Sequence, residues 1–294
     1  MVSIYTQFKR VIALTIIVGA LPFVISARAY AGEEDKGERL EVRGESRWMD
    51  DPKTPVGLTY GAQATIQTTY IWRGLHAGGA NIQVDANVGY GGLYADMWWN
   101  IGTTDWSFHT FQPELDLSLG FKRWGLNVFI LYIHNFNCGF FDFANYADKG
   151  NRLELNVKYT ISSKIPLTFV WATRVSAADG YINDKGELVH AHSSYAEINY
   201  TQALPYDLSL YGAVGISPWK SVYSGYEQGF VCNNIDLRLR KDWTVSKYCG
   251  IALQGQLSLN PSRLAHDKTT AEWHPRNPGR QAINANIAMI VYLK

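Results

Sequence analysis

From Leu58 onward, apolar and polar residues alternate with a period of two. Leu58, Tyr60, Ala62, Ala64, Ile66, Thr68, Tyr70 and Trp72 share one face, and Thr59, Gly61, Gln63, Thr65, Gln67, Thr69 and Arg73 share the other. A period of two is a strand with one apolar and one polar side. Ile82 to Tyr90, Leu93 to Ile101 and Glu114 to Phe121 repeat the pattern. Further segments near 125–134, 151–160, 166–175, 192–201, 207–216, 232–241, 249–259 and 281–292 bring the expected count to twelve. The fifth segment, Val128 to Ile133, is apolar on both faces, so its facing stays open.

The links between these segments alternate in length. Gly91-Gly92 is a two-residue hairpin signal. Short links also fall at 122–124, 161–165, 202–206 and 242–248, and longer ones at 74–80, 102–111, 135–150, 176–191, 217–231 and 260–280. Short turns on one side and long loops on the other are the pattern of a transmembrane barrel. Strands of about ten residues, tilted near 45°, span a bilayer. A soluble sandwich would use strands of about 5–6 residues. Tyr60, Tyr90, Phe121, Tyr159 and Tyr200 fall on apolar faces at the short-turn ends, where amphipathic rings meet the lipid–water boundary. The expected fold is all-β: a single transmembrane antiparallel up-and-down β-barrel over residues 58–294, with twelve strands and periplasmic termini.

The N-terminus agrees with export. Lys9 and Arg10 precede an apolar run from Val11 to Ile25, and Ala29-Tyr30-Ala31 is a small-x-small cleavage site. Residues 1–31 therefore read as a secretory signal peptide, which places the barrel in a Gram-negative outer membrane against outer-membrane lipid. Cleavage removes Lys9, Arg10 and Arg28 and no acid, leaving 24 bases against 26 acids, a charge of −2. Residues 32–57 carry eight acids and five bases between Gly32 and Lys53. They read as a charged periplasmic tail or a small plug.

Composition excludes other classes. Charged residues are 18% of the chain, below the roughly 25% of soluble domains, while aromatics reach 14%. Twenty-seven bases against 26 acids give no basic excess for nucleic acid. Three cysteines show no metal spacing, no nucleotide-binding glycine motif is present, and no cofactor is expected.

If the apolar face meets lipid, the charges point inward. The candidate lumen acids are Asp85, Asp96, Glu114, Asp116, Glu154, Glu197 and Asp236, and the bases are Arg73, Arg152, Lys158, Arg174, Arg238 and Arg240. The signs segregate: strands two to four supply four acids and no base, and strands six, seven and ten supply five bases and two acids. Twelve tilted strands give a backbone diameter of roughly 24 Å. Either the charges face each other across a narrow pore for small polar solutes, or they pair and fill the lumen of a structural or partner-docking barrel. Arg73, in phase with Gln63, Thr65, Gln67 and Thr69, is expected at the outer end of the first strand, with Asp85 or Asp96 as its partner.

Two segments carry a resemblance to a known family. Tyr70-Ile71-Trp72-Arg73-Gly74 and Gly92-Leu93-Tyr94-Ala95-Asp96-Met97-Trp98-Trp99-Asn100 resemble the Tyr-x-x-Arg-Gly and Gly-x-Tyr-Ala-x-x-Trp-x-Ser-Asn elements of the TorF-type family of outer-membrane porins. Trp99 stands at the family's Ser position and Asp96 at its small-residue position. The likeness covers residues 58 to about 135, and it implies an outer-membrane barrel with a porin role.

A hydrolase is the remaining alternative. His192 and Ser194 share a strand face at the expected outer end, and a His can activate a Ser hydroxyl on a lipid substrate. His190 and His192 form a two-ligand spacing with no further ligand nearby. Cys138 and Cys232 both fall on the long-loop side, where a disulfide is open to them, leaving Cys249 free.

Overall fold

A computed structural model describes residues 57–103, 111–136, 138–143, 150–162, 164–176, 179–183, 185–226, 229–264 and 282–293. The signal-peptide reading, and the tail reading up to residue 56, fall outside the described residues. The strands are β1 (Leu58–Gln67), β2 (Tyr70–Trp72), β3 (Leu75–Gly78), β4 (Asn81–Tyr90), β5 (Leu93–Thr103), β6 (Phe111–Arg123), β7 (Leu126–His134) and β8 (Arg152–Thr160). They continue with β9 (Leu167–Arg174), β10 (Gly180–Ile182), β11 (Leu188–His190), β12 (Ser194–Leu204), β13 (Leu208–Ser217), β14 (Val231–Thr244), β15 (Cys249–Leu259) and β16 (Ile283–Leu293). Twelve close into one antiparallel up-and-down barrel in the order β1-β16-β15-β14-β13-β12-β9-β8-β7-β6-β5-β4. The hairpins β2–β3 and β10–β11 are separate two-stranded sheets inside two of the long links.

Closure is made by β1 against β16, from Gln63 opposite Tyr292 to Gln67 opposite Ala288. The same register puts the start of β1 and the end of β16 at one end of the barrel, with the short turns. On β16 burial alternates residue by residue: Ile283, Ile287, Met289 and Val291 are exposed, and Asn284, Asn286, Ala288, Ile290 and Tyr292 are buried. In a closed sheet the exposed row is the outer face. It is apolar around the barrel, as at Val88, Met97, Leu119, Ile198, Val214 and Leu237. Tyr90, Tyr159 and Tyr200 stand exposed at the short-turn end of that face. The doubly apolar segment resolves as β7, with Ile130 on the outer surface and Phe129 and Leu131 lining the interior.

Two glycines make room for rings inside. A Cβ on Gly250 would lie 2.4 Å from the Tyr292 ring, and one on Gly215 would lie 2.2 Å from the Tyr195 hydroxyl. Tyr292 then reaches Asp242, to which its hydroxyl donates at 2.8 Å. Gly212 has no neighbour within 4 Å of its missing Cβ. Gly250→Val should therefore lower stability by about 1–3 kcal/mol through overpacking, while Gly212→Ala should change it far less. Denaturant midpoints of the two variants check this pair of outcomes.

Candidate functional site

The first barrel strand stops at Gln67, six residues short of Arg73. The chain then makes the small hairpin β2–β3, with Trp72 opposite Leu75 across the turn Arg73-Gly74. Both turn residues are left-handed, at φ 51° and 79°, as a tight hairpin turn requires. Gly74 is obligatory for a second reason, since a Cβ there would sit 1.9 Å from the Asn233 carbonyl oxygen. Asn233 is the extra residue of a bulge in β14 opposite Gly215 and Ile216. Its side-chain amide donates to the Arg73 carbonyl at 3.3 Å, and that of Asn260 donates to the Gly74 carbonyl at 3.3 Å.

The hairpin is thus held in the long-loop end of the lumen. Tyr70 and Trp72 do not face lipid, which corrects the expectation that the first strand carries them outward. Leu75, Ala172, Tyr195 and Tyr223 form an apolar cluster there, with Trp72 and Val222 packed on it. Tyr223 comes from a 3-10 turn, Val222–Ser224, in the link between β13 and β14.

Arg73 is the centre of this plug, and its partner is neither Asp85 nor Asp96. Its guanidinium donates through Nη1 and Nη2 to the two carboxylate oxygens of Glu154, each at 2.7 Å, and through Nη2 to Asn156 at 3.2 Å. The Arg73 side chain is 12% exposed and that of Glu154 fully buried. The rings of Trp72, Tyr195 and Tyr223 surround the guanidinium at 4.7, 5.0 and 5.4 Å. Tyr223 completes the group by accepting from Arg73 and donating to Glu154 at 3.1 Å. Bidentate pairing and aromatic stacking suit a planar, permanently charged guanidinium, and an ammonium would not reproduce them. Burial pushes the Tyr223 hydroxyl well above its usual range and that of Tyr226 up to about 12, so both remain donors at neutral pH. Tyr226 donates to Asp179 at 3.0 Å.

The other charged candidates divide between the plug and the cavity beneath it. Arg174 lies 3.7 Å from Asp179 and over the rings of Trp72 and Tyr223. Glu114 accepts from the Tyr70 hydroxyl at 3.1 Å. Asn135, with its amide nitrogen toward Glu114, bridges Glu114 and Arg152 at 2.6 Å each. A cavity of about 360 Å³ is lined by Asp85, Asp96, Asp116, Glu197, Arg73, Lys158, Arg238 and Arg240, among uncharged residues such as Trp98, Tyr94 and Phe129. Asp236 stands behind this lining, 2.6 Å from Arg238, and Asp242 lies 2.8 Å from Arg240. Glu197 accepts from Tyr211 at 2.9 Å, from Asn199 at 2.8 Å and from Tyr195. Lys158 lies 5.3 Å from the Phe129 ring centre.

The expected separation of acids from bases is modified by these pairings, since the β14 arginines meet acids on their own strand. Tyr195, Tyr223, Trp98, Asp179 and Asp242 are lumen or plug residues absent from the expected set. The phase of β5 and β14 places Trp98 and Asp242 inside, whereas nothing local marks Tyr223.

The hydrolase pair does not form. The Ser194 hydroxyl donates to the His192 backbone carbonyl at 2.9 Å and shares a 2.8 Å bond with Thr173. The His192 ring instead meets His190, Nε2 to Nδ1, at 3.1 Å. Among the described residues no group of three or more His, Cys, Asp or Glu could hold a metal. Cys138, Cys232 and Cys249 are free thiols, so the disulfide open to the first two is not made.

No family model matches the chain, and no curated protein matches it. The TorF-type resemblance is therefore carried by its motif residues alone. Among solved structures the chain is similar to a NanC porin, at 11% identity and a TM-score of 0.44, over 80% of this chain and 100% of that one. The architecture itself rests on the strand register.

Removing one partner of a buried pair strands the other charge. Glu154→Ala should lower stability by about 3–5 kcal/mol, and the double variant Arg73→Leu/Glu154→Leu should recover much of that loss. Urea unfolding of the detergent-solubilised protein measures both. Equal losses in single and double variants would contradict a charge-paired Arg73 and Glu154.

Proposed function

We propose that the protein is an outer-membrane β-barrel acting as a passive pore for small polar solutes. The observation that carries this reading is the polar cavity of about 360 Å³ inside a closed barrel whose outer face is apolar. A row of charged and amide side chains facing water-sized space favours hydrated solutes, and an apolar exterior favours lipid. The signal-peptide reading of residues 1–31 supports export, and the short turns, with both barrel ends beside them, support periplasmic termini. The TorF-type motif residues support the porin class.

The plug favours a second reading. With Trp72, Leu75, Tyr195 and Tyr223 packed across the long-loop end, the barrel could be a filled scaffold that docks a partner. Conductance separates the two. Reconstituted in planar bilayers, the protein should give small, discrete channel events. Arg73→Ala should enlarge them and shift selectivity towards cations, because a positive charge leaves the constriction. Silence from both proteins, with only a fall in melting temperature for the variant, would establish the filled barrel instead.

Orientation is tested separately. An epitope inserted in the link between β7 and β8 should be reachable on intact cells, and one inserted at the turn Trp124-Gly125 should not. The reverse labelling pattern would invert the topology.

A further inference from the structure

One sequence feature lies outside the pore reading: His190-Ala191-His192, at the long-loop end. β11 ends at His190 and β12 begins at Ser194. Between them Ala191 and Ser193 are buried, while His192 is exposed and His190 half-buried. The buried members are pinned. The Ala191 amide donates to the Asp179 carbonyl at 2.8 Å. Ser193 donates to both Asp179 carboxylate oxygens, through its amide at 2.5 Å and its hydroxyl at 2.6 Å. The Ser193 carbonyl accepts from the Arg174 amide at 3.0 Å, and the His192 carbonyl accepts from the Trp219 indole at 3.0 Å. The Ser193 hydroxyl also accepts from the Val222 amide at 2.9 Å, which joins this segment to the turn that carries Tyr223 of the plug. The backbone bearing the two histidines is therefore fixed, the support a ligand pair needs.

The two rings meet on that backbone. His190 Nδ1 and His192 Nε2 are 3.1 Å apart, and the rings stand edge to face with 3.9 Å between centres. The other nitrogen of His190, Nε2, is hydrogen-bonded to the Ser176 carbonyl. A carbonyl can only accept, so Nε2 carries the proton and Nδ1 of the neutral ring presents its lone pair. A metal-ligating histidine is held in the same way, its second nitrogen donating to a carbonyl or carboxylate. Zinc–imidazole bonds are about 2.0–2.1 Å long, and two of them meeting at about 90–109° hold their nitrogens about 2.9–3.4 Å apart. The 3.1 Å separation of this pair falls within that bite. The His192 Nε2–H donates into the same gap, so an ion replaces a proton between the rings, and His192 then carries its proton on Nδ1.

We infer that His190 and His192 form a clasp for one divalent transition ion of the zinc, copper or nickel class, with water completing its coordination. Imidazole nitrogens suit these ions, whereas calcium and magnesium take oxygen ligands. The bound ion ties the end of β11 to the entry of β12. Through Ser193 and Val222 it also steadies the turn that packs on the plug. The inference goes beyond the pore reading and stands whether or not the barrel conducts.

The test is calorimetric titration of the detergent-solubilised protein with zinc chloride near neutral pH, and in parallel with magnesium chloride. Zinc should bind saturably and magnesium should not. His190→Gln and His192→Asn should each weaken zinc binding about tenfold or more, since even the loss of a group that orients a ligand costs about 10–100-fold. Asn is chosen at 192 because the backbone there is left-handed, at φ 47°, a conformation Asn tolerates. His190→Asn and His192→Gln stand in should either first variant lose the heat-dependent gel mobility of a folded barrel. Zinc should also raise the melting temperature of the unaltered protein and leave that of the variants unmoved, because an ion bound only by the folded chain stabilises it. Absence of saturable zinc binding, magnesium binding as tight as zinc, or unchanged zinc affinity in the folded variants overturns the inference.

Discussion

Closure of β1 on β16 is the constraint on which the rest of the structure depends. A sheet that returns on itself has no free edge, so backbone donors and acceptors along the strands are met by neighbouring strands. Each side chain then has only two destinations. The outward row is free to be apolar throughout, and Leu237, Val214 and Met289 show that it is. The inward row of a twelve-strand barrel enters a space too narrow to stay fully hydrated, so its polar groups must largely satisfy one another. Asn156, Asn234, Asn260 and Asn286 are buried and hydrogen-bonded there for that reason.

The same constraint explains which parts of the fold were legible in the sequence. Period two sorts a strand into its faces without knowledge of any other strand. Ile283 to Tyr292 therefore reads correctly from the chain alone, as do the outward tyrosines at the short-turn ends. β7 does not, because Phe129 and Leu131 are apolar and yet inward. The Lys158 ammonium lies over the Phe129 ring and Val170 lines the same cavity, an environment assembled from other strands. Alternation measures contrast between faces, and where a lumen is locally apolar the contrast vanishes.

The plug was illegible for a different reason. Tyr70 and Trp72 continue the phase of β1, so the pattern runs on smoothly through the point at which the chain leaves the barrel wall. The only local mark is Arg73-Gly74, a dipeptide that accommodates two left-handed residues in a row. What draws the hairpin inward lies far along the chain: Glu154 on β8, Tyr223 in a late loop and Asn233 at the β14 bulge. Choosing Asp85 or Asp96 for Arg73 followed sequence proximity, whereas the guanidinium selected the carboxylate that could take both its nitrogens while being wholly enclosed.

These two kinds of pairing have different consequences for the interior field. Asp236 with Arg238 and Arg240 with Asp242 are residues two apart on one strand face, so they pair wherever the strand goes and cancel where they stand. Arg73 with Glu154 joins a loop to a wall, and it cancels only while the hairpin is in place. The charges of Arg238 and Arg240 are therefore neutralised in place, and that of Arg73 conditionally. The hairpin that bears Arg73 also bears Tyr70, which packs on Trp98 between the register positions of Asp85 and Asp116. Movement of the hairpin would thus change the entrance and the acidic wall together, because one short segment of chain touches both.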